Sequence, residues 1–189
     1  MQHNFNLFIF LIAFLFGVKF GSANDYYWRD YNGSIPNDAI AVDDDLYIGQ
    51  IYSHSSVIPG SLFPERNKFI YEYIGQREAK SDIKILCAPN PDKMKWVKLN
   101  MAEIFAENPH FYVSQFETTP NCVLIPGGYE HEKYRWYIGK IYHENMWKIS
   151  KVDLKHFKAI SVWSNNGGFE RIQNFEVLYA CKKNEEKLS

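Results

Sequence analysis

The six histidines are the side chains best suited to catalysis, but their spacing does not suggest it. Nucleophilic catalysis needs a Ser, Cys or Thr beside a base, with a third group that orients the base. No histidine shows a neighbouring Ser, Cys or Asp in an arrangement that spacing alone would recommend; they are His3, His54, His110, His131, His143 and His156. The sequence therefore predicts that the protein is not an enzyme.

Neither a metal nor another cofactor is predicted. His131 and His143 come nearest to a metal-binding pair, but they lack a third ligand at any recognised spacing, so solvated loop histidines are the favoured interpretation. A nucleotide cofactor would need a glycine-rich loop between a strand and a helix, and the sequence contains none. We therefore expect no cofactor.

The charge balance argues against a nucleic-acid partner. The 189 residues include 21 Lys and Arg against 22 Asp and Glu, a net charge of −1. No basic stripe is visible along the chain that would follow a phosphate backbone. Nucleic acid is therefore not an expected partner.

The chain contains an internal duplication. The segment LYIGQIY at residues 46–52 returns as WYIGKIY at residues 136–142, an offset of 90. A second shared spacing, aromatic-x3-Gly-x2-Glu, begins at Tyr71 and again at Trp163, an offset of 92. Repeats determine architecture. Two similar β units are therefore predicted to pack as one domain with a pseudo-twofold axis.

Composition favours an all-β fold for both units. Aromatic residues make up 17% of the chain, and β-branched residues are frequent while long helix-forming stretches are missing. We predict an antiparallel, β-sandwich-like domain. Its expected boundaries are a signal peptide at 1–23, the first repeat at 24–90, the second repeat at 91–181 and a polar tail at 182–189. A surface insertion is expected near 97–120, with about two helical turns around 100–107.

Three cysteines are too few for a disulfide scaffold and do not have the spacing of a zinc site. One bridge and one free thiol are expected. Cys87 and Cys181 each follow the last strand of a repeat, which makes them the first choice for the bridge. Connectivity cannot be deduced from sequence, and Cys122 remains an alternative partner.

The first two dozen residues are predicted to be a secretory signal peptide. Residues 8–18 form an apolar run, and Gly21, Ser22 and Ala23 suggest cleavage after Ala23. The run is shorter than the ~20 apolar residues of a spanning helix, so no membrane anchor is expected. In a secreted protein, Asn32 in the sequon Asn32-Gly33-Ser34 becomes a candidate for N-glycosylation.

Several motifs together resemble the DM9 repeat family, first described in insect proteins. They are W-x4-G-x-IP-x2-AI from residue 28, LYIG at 46–49, IPG at 58–60, G-x2-E at 75–78 and IL at 85–86. The resemblance covers nearly all of the chain after residue 23. It implies a β-sandwich-like fold of two DM9 motifs and, as in characterised members, a lectin that binds mannose and recognises microbial surfaces.

The resemblance also implies a sugar site. Such lectins use an acidic residue in the turn before the Tyr-Ile-Gly strand and a Lys after the Pro-Gly turn, positions that Glu130 and Lys151 occupy in the second repeat. The carboxylate would accept hydroxyl protons while the ammonium donates to sugar oxygens. Tyr129 or Trp147 would cover the apolar face of the ring. The competing interpretation is a surface ion pair between Glu130 and Lys151, contributing about 0 to 1 kcal/mol.

The first repeat departs from this pattern. Ser61 stands where the family has its Lys, and a hydroxyl cannot replace an ammonium donor of that reach. Sugar binding is therefore expected only in the second repeat.

The predicted function is that of a secreted, extracellular carbohydrate-binding protein with a role in innate immunity. Its expected partners are glycans, including mannose-containing microbial surfaces, and neither nucleic acid nor membrane; a homodimer remains open. The alternative is a secreted protein-binding or structural module that has lost sugar binding, because exposed Tyr and Trp residues also suit a protein interface.

Overall fold

The computed structural model describes residues 25–108 and 112–182. The predicted signal peptide and the tail from residue 183 onward lie outside the described residues. Within those described ranges, no helix is both long enough and apolar enough to cross a membrane.

Strands make up most of the described chain. They are β1 (Tyr27–Asp30), β2 (Ala41–Asp43), β3 (Leu46–Ser53), β4 (Ser56–Phe63), β5 (Lys68–Glu72), β6 (Gln76–Ala79), β7 (Ile83–Cys87), β8 (Met94–Asn100), β9 (Cys122–Leu124), β10 (Pro126–Glu130), β11 (Tyr134–His143), β12 (Met146–Asp153), β13 (Ala159–Trp163), β14 (Phe169–Ile172) and β15 (Asn174–Cys181). Helices α1 (Met101–Glu107) and α2 (Ser114–Glu117) and a 3₁₀ turn (Pro91–Lys93) complete the elements. The predicted all-β fold is confirmed.

The duplication is visible in the sheet. Its main path runs β1-β7-β3-β4-β10-β11-β12-β13-β14, with β15 branching from β11 and β5 from β4. Strands β3 to β7 correspond to β11 to β15. Strand β1 borders β7 as β8 borders β15, so Trp28 lies opposite Leu86 just as Trp96 lies opposite Leu178.

The repeats contact each other at several points. Strand β4 pairs with β10, which makes the sheet continuous. The sheet also places β4 against β12, where the Ser61 hydroxyl donates to the Ile149 carbonyl at 3.2 Å and accepts from its amide at 2.8 Å. At a third point the Gln76 amide donates to the Gly167 carbonyl at 3.1 Å. A Cβ on Gly75 would lie 2.7 Å from that same carbonyl oxygen, so the contact requires glycine.

Two-residue hairpin turns set the register within each repeat. His54 and Ser55 join β3 to β4, and Glu144 and Asn145 join β11 to β12, all four with positive φ between 50° and 65°. Positive φ at both central residues is the type I′ geometry, which matches the twist of the strands. In the second repeat the turn places Ile138 opposite Lys151.

The core is shared by both repeats. One buried cluster contains Ile48 and Leu86 of the first repeat together with Ile138 and Leu178 of the second. Each repeat adds a cluster of its own, and the first repeat's cluster also includes Trp136 of the second repeat. Neither repeat therefore completes its core alone.

The insertion begins later than its expected start near residue 97. Residues 94–100 form β8 and pair with β15 along their whole length. The extra segment starts at α1, whose first turn is capped by the Asn100 side chain accepting from the Glu103 amide. The predicted helical turns are therefore present, and they follow a strand that the first repeat also has.

The predicted Cys87–Cys181 pairing is wrong. The disulfide joins Cys122 and Cys181, which lie directly opposite each other on β9 and β15 with Cα atoms 4.0 Å apart. Cys87 is a buried free thiol at the end of β7. Strand β9, which follows the insertion, lies beside β15, and this brings Cys122 rather than the end of the first repeat to Cys181.

Candidate functional site

Glu130 and Lys151 line the same cleft. Glu130 ends β10 and Lys151 lies in the middle of β12, with β11 between these strands. The cleft has a volume of about 210 Å³ and is called here the sugar cleft, after the site that the sequence resemblance predicts. Its other lining residues are Glu72, Tyr73, Ile74, Trp136, Asp153, Phe157, Ser161, Phe169 and Arg171.

Lys151 forms the floor of this cleft, but its ion-pair partner is not Glu130. The Lys151 Nζ lies 2.8 Å from Glu72 Oε2, and the two side chains are 13% and 3% exposed. The same Nζ is 4.4 Å from the Trp136 ring centroid and 5.5 Å from that of Tyr73. An ammonium has three donors, so Lys151 keeps donors for a ligand after binding Glu72.

The carboxylates of the cleft are not equally available. Asp153 Oδ1 accepts from the Lys155 and His156 amides at 2.9 and 2.8 Å, and Oδ2 lies 3.2 Å from His156 Nδ1. Asp153 thus accepts hydrogen bonds within the turn after β12, and Glu72 forms an ion pair with Lys151. Among the described residues, Glu130 forms no ion pair.

Aromatic and apolar side chains form the rim. Phe157 and Phe169 are 48% and 40% exposed, and Ile74 is 76% exposed. The Arg171 guanidinium lies 3.6 Å from the Phe157 ring centroid and 5.6 Å from that of Phe169. The cleft therefore combines a polar floor with apolar edges.

Tyr129 and Trp147 do not lie in the sugar cleft. Tyr129 lines a different cleft with Trp28 and Gln50. The Trp147 ring packs edge to face on Tyr142 at 5.5 Å and lies 4.8 Å from Lys140 Nζ. Successive residues of a strand point to opposite faces, so Tyr129 and Glu130 cannot both face one cleft.

The first repeat has no equivalent opening at Ser61. Ser61 lies opposite Ile48, as Lys151 lies opposite Ile138, so the two positions correspond. Ser61 is fully buried, and its hydroxyl is used by the Ile149 backbone. This position contacts the other repeat rather than a ligand.

Trp136 and Glu72 line the cleft but were not among the predicted site residues, and only Trp136 could have been found from the sequence. The Glu144-Asn145 turn fixes the register of β11 and β12, and alternation then puts Trp136, Ile138 and Lys151 on one face. Trp136 was therefore predictable. Glu72 was not, because it comes from the other repeat, 79 positions before Lys151.

Among the described residues, the histidines are not grouped as a metal centre. His131 lies in the exposed turn after β10. His143 contacts Glu170 at 3.3 Å at the far end of β11. Within residues 25–108 and 112–182, no three His, Cys, Asp or Glu side chains are grouped to hold a metal ion.

The fold and the cleft define an all-β tandem-repeat protein with a small polar and aromatic cleft. The chain belongs to the DM9 repeat family, because the family model matches residues 41–167. This confirms the resemblance in the sequence motifs. A comparison with curated proteins finds no match.

A solved structure is also similar. The nematode sperm cell motility protein MFP2B matches with a TM-score of 0.54 and 11% identity, over 87% of this chain and 48% of that one. The chain thus spans about half the length of that protein. At this identity the likeness shows the fold alone.

Proposed function

We propose that the protein is a non-catalytic carbohydrate-binding protein whose sugar cleft takes one neutral hexose of the mannose type. The observation that carries this proposal is that the Glu130 carboxylate and the Lys151 ammonium line one cleft beside the Trp136 ring. A volume of about 210 Å³ suits one sugar ring better than a long chain. The surface-ion-pair interpretation loses support, because Lys151 pairs with Glu72.

The chemistry of the cleft favours a neutral polyol. Adjacent sugar hydroxyls both donate and accept, so Glu130 would take hydroxyl protons while Lys151 donates to neighbouring oxygens. Phe157 and Phe169 offer apolar surface to the C–H face of the ring. Three carboxylates and two cations line the cleft, so an anionic sugar would be disfavoured.

The carboxylates that line the cleft also argue against sugar hydrolysis. Most glycosidases need two available carboxyl groups flanking the bond to be cleaved. Glu72 is held by Lys151 and Asp153 by backbone amides, which leaves Glu130 alone. A single available carboxylate supports recognition rather than catalysis.

Calorimetry with mannose, glucose and galactose tests the proposal. Glu130→Gln keeps the size of the side chain and removes its charge, so mannose affinity should fall about tenfold, the value of one charge-assisted hydrogen bond. Glu132→Gln, in the adjacent exposed turn, is the matched control and should bind like the wild type. Equal affinity for all three proteins, or no binding of any sugar by the wild type, would refute the assignment.

We also propose secretion, with glycosylation at Asn32. The described structure supports accessibility: Asn32 is exposed in the loop after β1, and its side chain accepts from the nearby Ser34 amide at 3.2 Å. Mass spectrometry of protein secreted from a eukaryotic host should find an amino terminus at Asn24 and a glycan on Asn32. A chain beginning at Met1 without a glycan would contradict both points.

The second candidate is a protein-binding module without sugar affinity. Tyr52 and Tyr142, at equivalent positions of the two repeats, are 64% and 59% exposed, and Tyr is enriched at protein interfaces. Failure of the calorimetric test would favour this candidate.

A further inference from the structure

We propose that a second cleft binds a small ligand that carries several phosphate or sulfate groups. This cleft, called here the basic cleft, has a volume of about 710 Å³. Its lining residues are Tyr112, Val113, Ser114, Glu117, Lys133, Tyr134, Arg135, Tyr137, Lys155, His156 and Lys158. The proposal is independent of sugar binding.

Three segments build the walls. The turn before β11 and the turn between β12 and β13 meet at Tyr134, whose ring contacts His156 edge to face at 4.7 Å and lies 5.7 Å from Lys155 Nζ. The α2 segment closes the third side, because Tyr137 donates its hydroxyl hydrogen bond to Glu117. A concave site, rather than a flat patch, results.

The charge in this cleft is strongly positive. Lys133, Arg135, Lys155 and Lys158 are its four permanent cations, and within the described ranges none of them forms an ion pair with a carboxylate. The one carboxylate in the lining is that of Glu117, and it accepts from Tyr137. The whole chain carries a net charge of −1, so the positive charge of this cleft comes from the local grouping of these cations.

Two of the cations are held in place by neighbours that leave their charge intact. The Lys158 Nζ lies 3.6 Å from the ring centroid of Phe105 on α1. Arg135 interacts with the hydroxyl of Tyr137. Burial, and after it the hydrogen bond to Glu117, raises the pKa of this hydroxyl far above its usual range, and Arg135 opposes the shift. Tyr137 therefore stays protonated and adds no negative charge beside Arg135, which borders both this cleft and the Tyr129 cleft.

These features select a compact polyanion. Lysine and arginine donate charge-assisted hydrogen bonds to phosphate and sulfate oxygens, and a concave site of one sign focuses its field on such a ligand. The tyrosine rings at positions 112 and 134 add apolar surface at the rim. A cleft closed on three sides holds a small molecule rather than a polymer, in agreement with the lack of a basic stripe in the sequence. The sugar cleft, with more carboxylates than cations, would not compete for this ligand.

Calorimetry with two probes of dense negative charge tests the proposal and separates the two anion sources. Inositol hexakisphosphate represents phosphate esters, sucrose octasulfate represents sulfate esters, and uncharged inositol and sucrose are the blanks. Arg135→Gln and Lys155→Gln should each weaken the better probe at least tenfold at low salt. Lys80→Gln, an exposed lysine in the turn after β6, is the matched control and should change its affinity less than twofold.

The probe that binds tighter identifies the source, and its affinity should fall as salt rises. Mannose binding should be the same in all these variants, which separates this proposal from the sugar site. The proposal is overturned if Lys80→Gln weakens binding as much as Arg135→Gln and Lys155→Gln do. It is also overturned if neither variant weakens binding or if the wild type binds neither probe.

Discussion

Lys148 and Lys151 of β12 have similar partners but differ in whether they reach a cleft. Lys148 is fully buried, with its Nζ 2.5 Å from Glu144 Oε2 and 3.9 Å from the Trp163 ring centroid. Lys151 has the same kinds of partner in Glu72 and Trp136, but it opens onto the sugar cleft. Removing one partner of a buried pair leaves an uncompensated charge, which costs more than the pair contributes.

Glu72→Gln should therefore destabilise the protein by about 3 kcal/mol, at the low end for a broken buried pair because Lys151 is 13% exposed. The measurement is urea unfolding followed by tryptophan fluorescence. The double variant Glu72→Gln/Lys151→Met removes both charges and should recover most of the loss. If the double variant is as unstable as the sum of its single variants, the two side chains do not interact.

At the scale of elements, the β11–β12 hairpin is tied to the end of β13 through one carboxylate. Besides Lys148, the Glu144 side chain accepts from the Ser164 hydroxyl and the Asn165 amide, both at 2.8 Å. The hydrogen bond from Lys148, followed by those from Asn165 and Ser164, lowers the pKa of Glu144 from 4.5 to about 2 against the opposing effect of desolvation. The turn that sets the register of the sugar cleft is therefore held by an ionised group.

A pH series on the hairpin follows from this pKa. A carboxyl whose pKa is lower in the folded state than in the unfolded state stabilises the fold above its unfolded pKa, and the contribution disappears as pH falls through the folded value. Wild type should therefore exceed Glu144→Gln in thermal midpoint at pH 6, and the difference should shrink between about pH 4.5 and pH 2. A difference in thermal midpoint that stays constant over this range would show that folding does not lower the pKa of Glu144. Glu65→Gln, exposed after β4, serves as the control.

On the scale of the whole molecule, the two repeats form one folding unit. The sheet crosses from β4 to β10, and the largest core cluster takes residues from both repeats. The disulfide closes a span of 59 residues within the second repeat only. It does not link the repeats, so their association rests on packing, hydrogen bonds and the Lys151–Glu72 ion pair.

Residues 24–182 should therefore unfold in a single calorimetric transition, with equal calorimetric and van't Hoff enthalpies. The first repeat expressed alone as residues 24–90 should lack dispersed amide signals in an NMR spectrum, because its core is completed by Ile138, Ile149 and Leu178. Two separate transitions, or a folded first repeat, would contradict the shared core.

The sequence by itself was enough for properties that depend on local pattern. The aromatic and β-branched content predicted the all-β class, and the offsets of 90 and 92 predicted the duplication that the sheet shows. The helical turns after residue 100 and the expectation of one bridge and one free thiol also agree with the structure. Glu130 and Lys151 were paired through the family resemblance rather than through local pattern, and both line one cleft.

Only the tertiary structure decided which distant segments meet. Cys181 bonds to Cys122 because β9 lies beside β15, and Lys151 meets Glu72 because β12 packs against strands of the other repeat. Tyr129 faces away from Glu130 because their strand alternates, and the four cations of the basic cleft meet because two turns and a helix converge. Such contacts depend on the geometry of the whole sheet. Linear spacing contains no information about strands that become neighbours only after the two repeats have packed together.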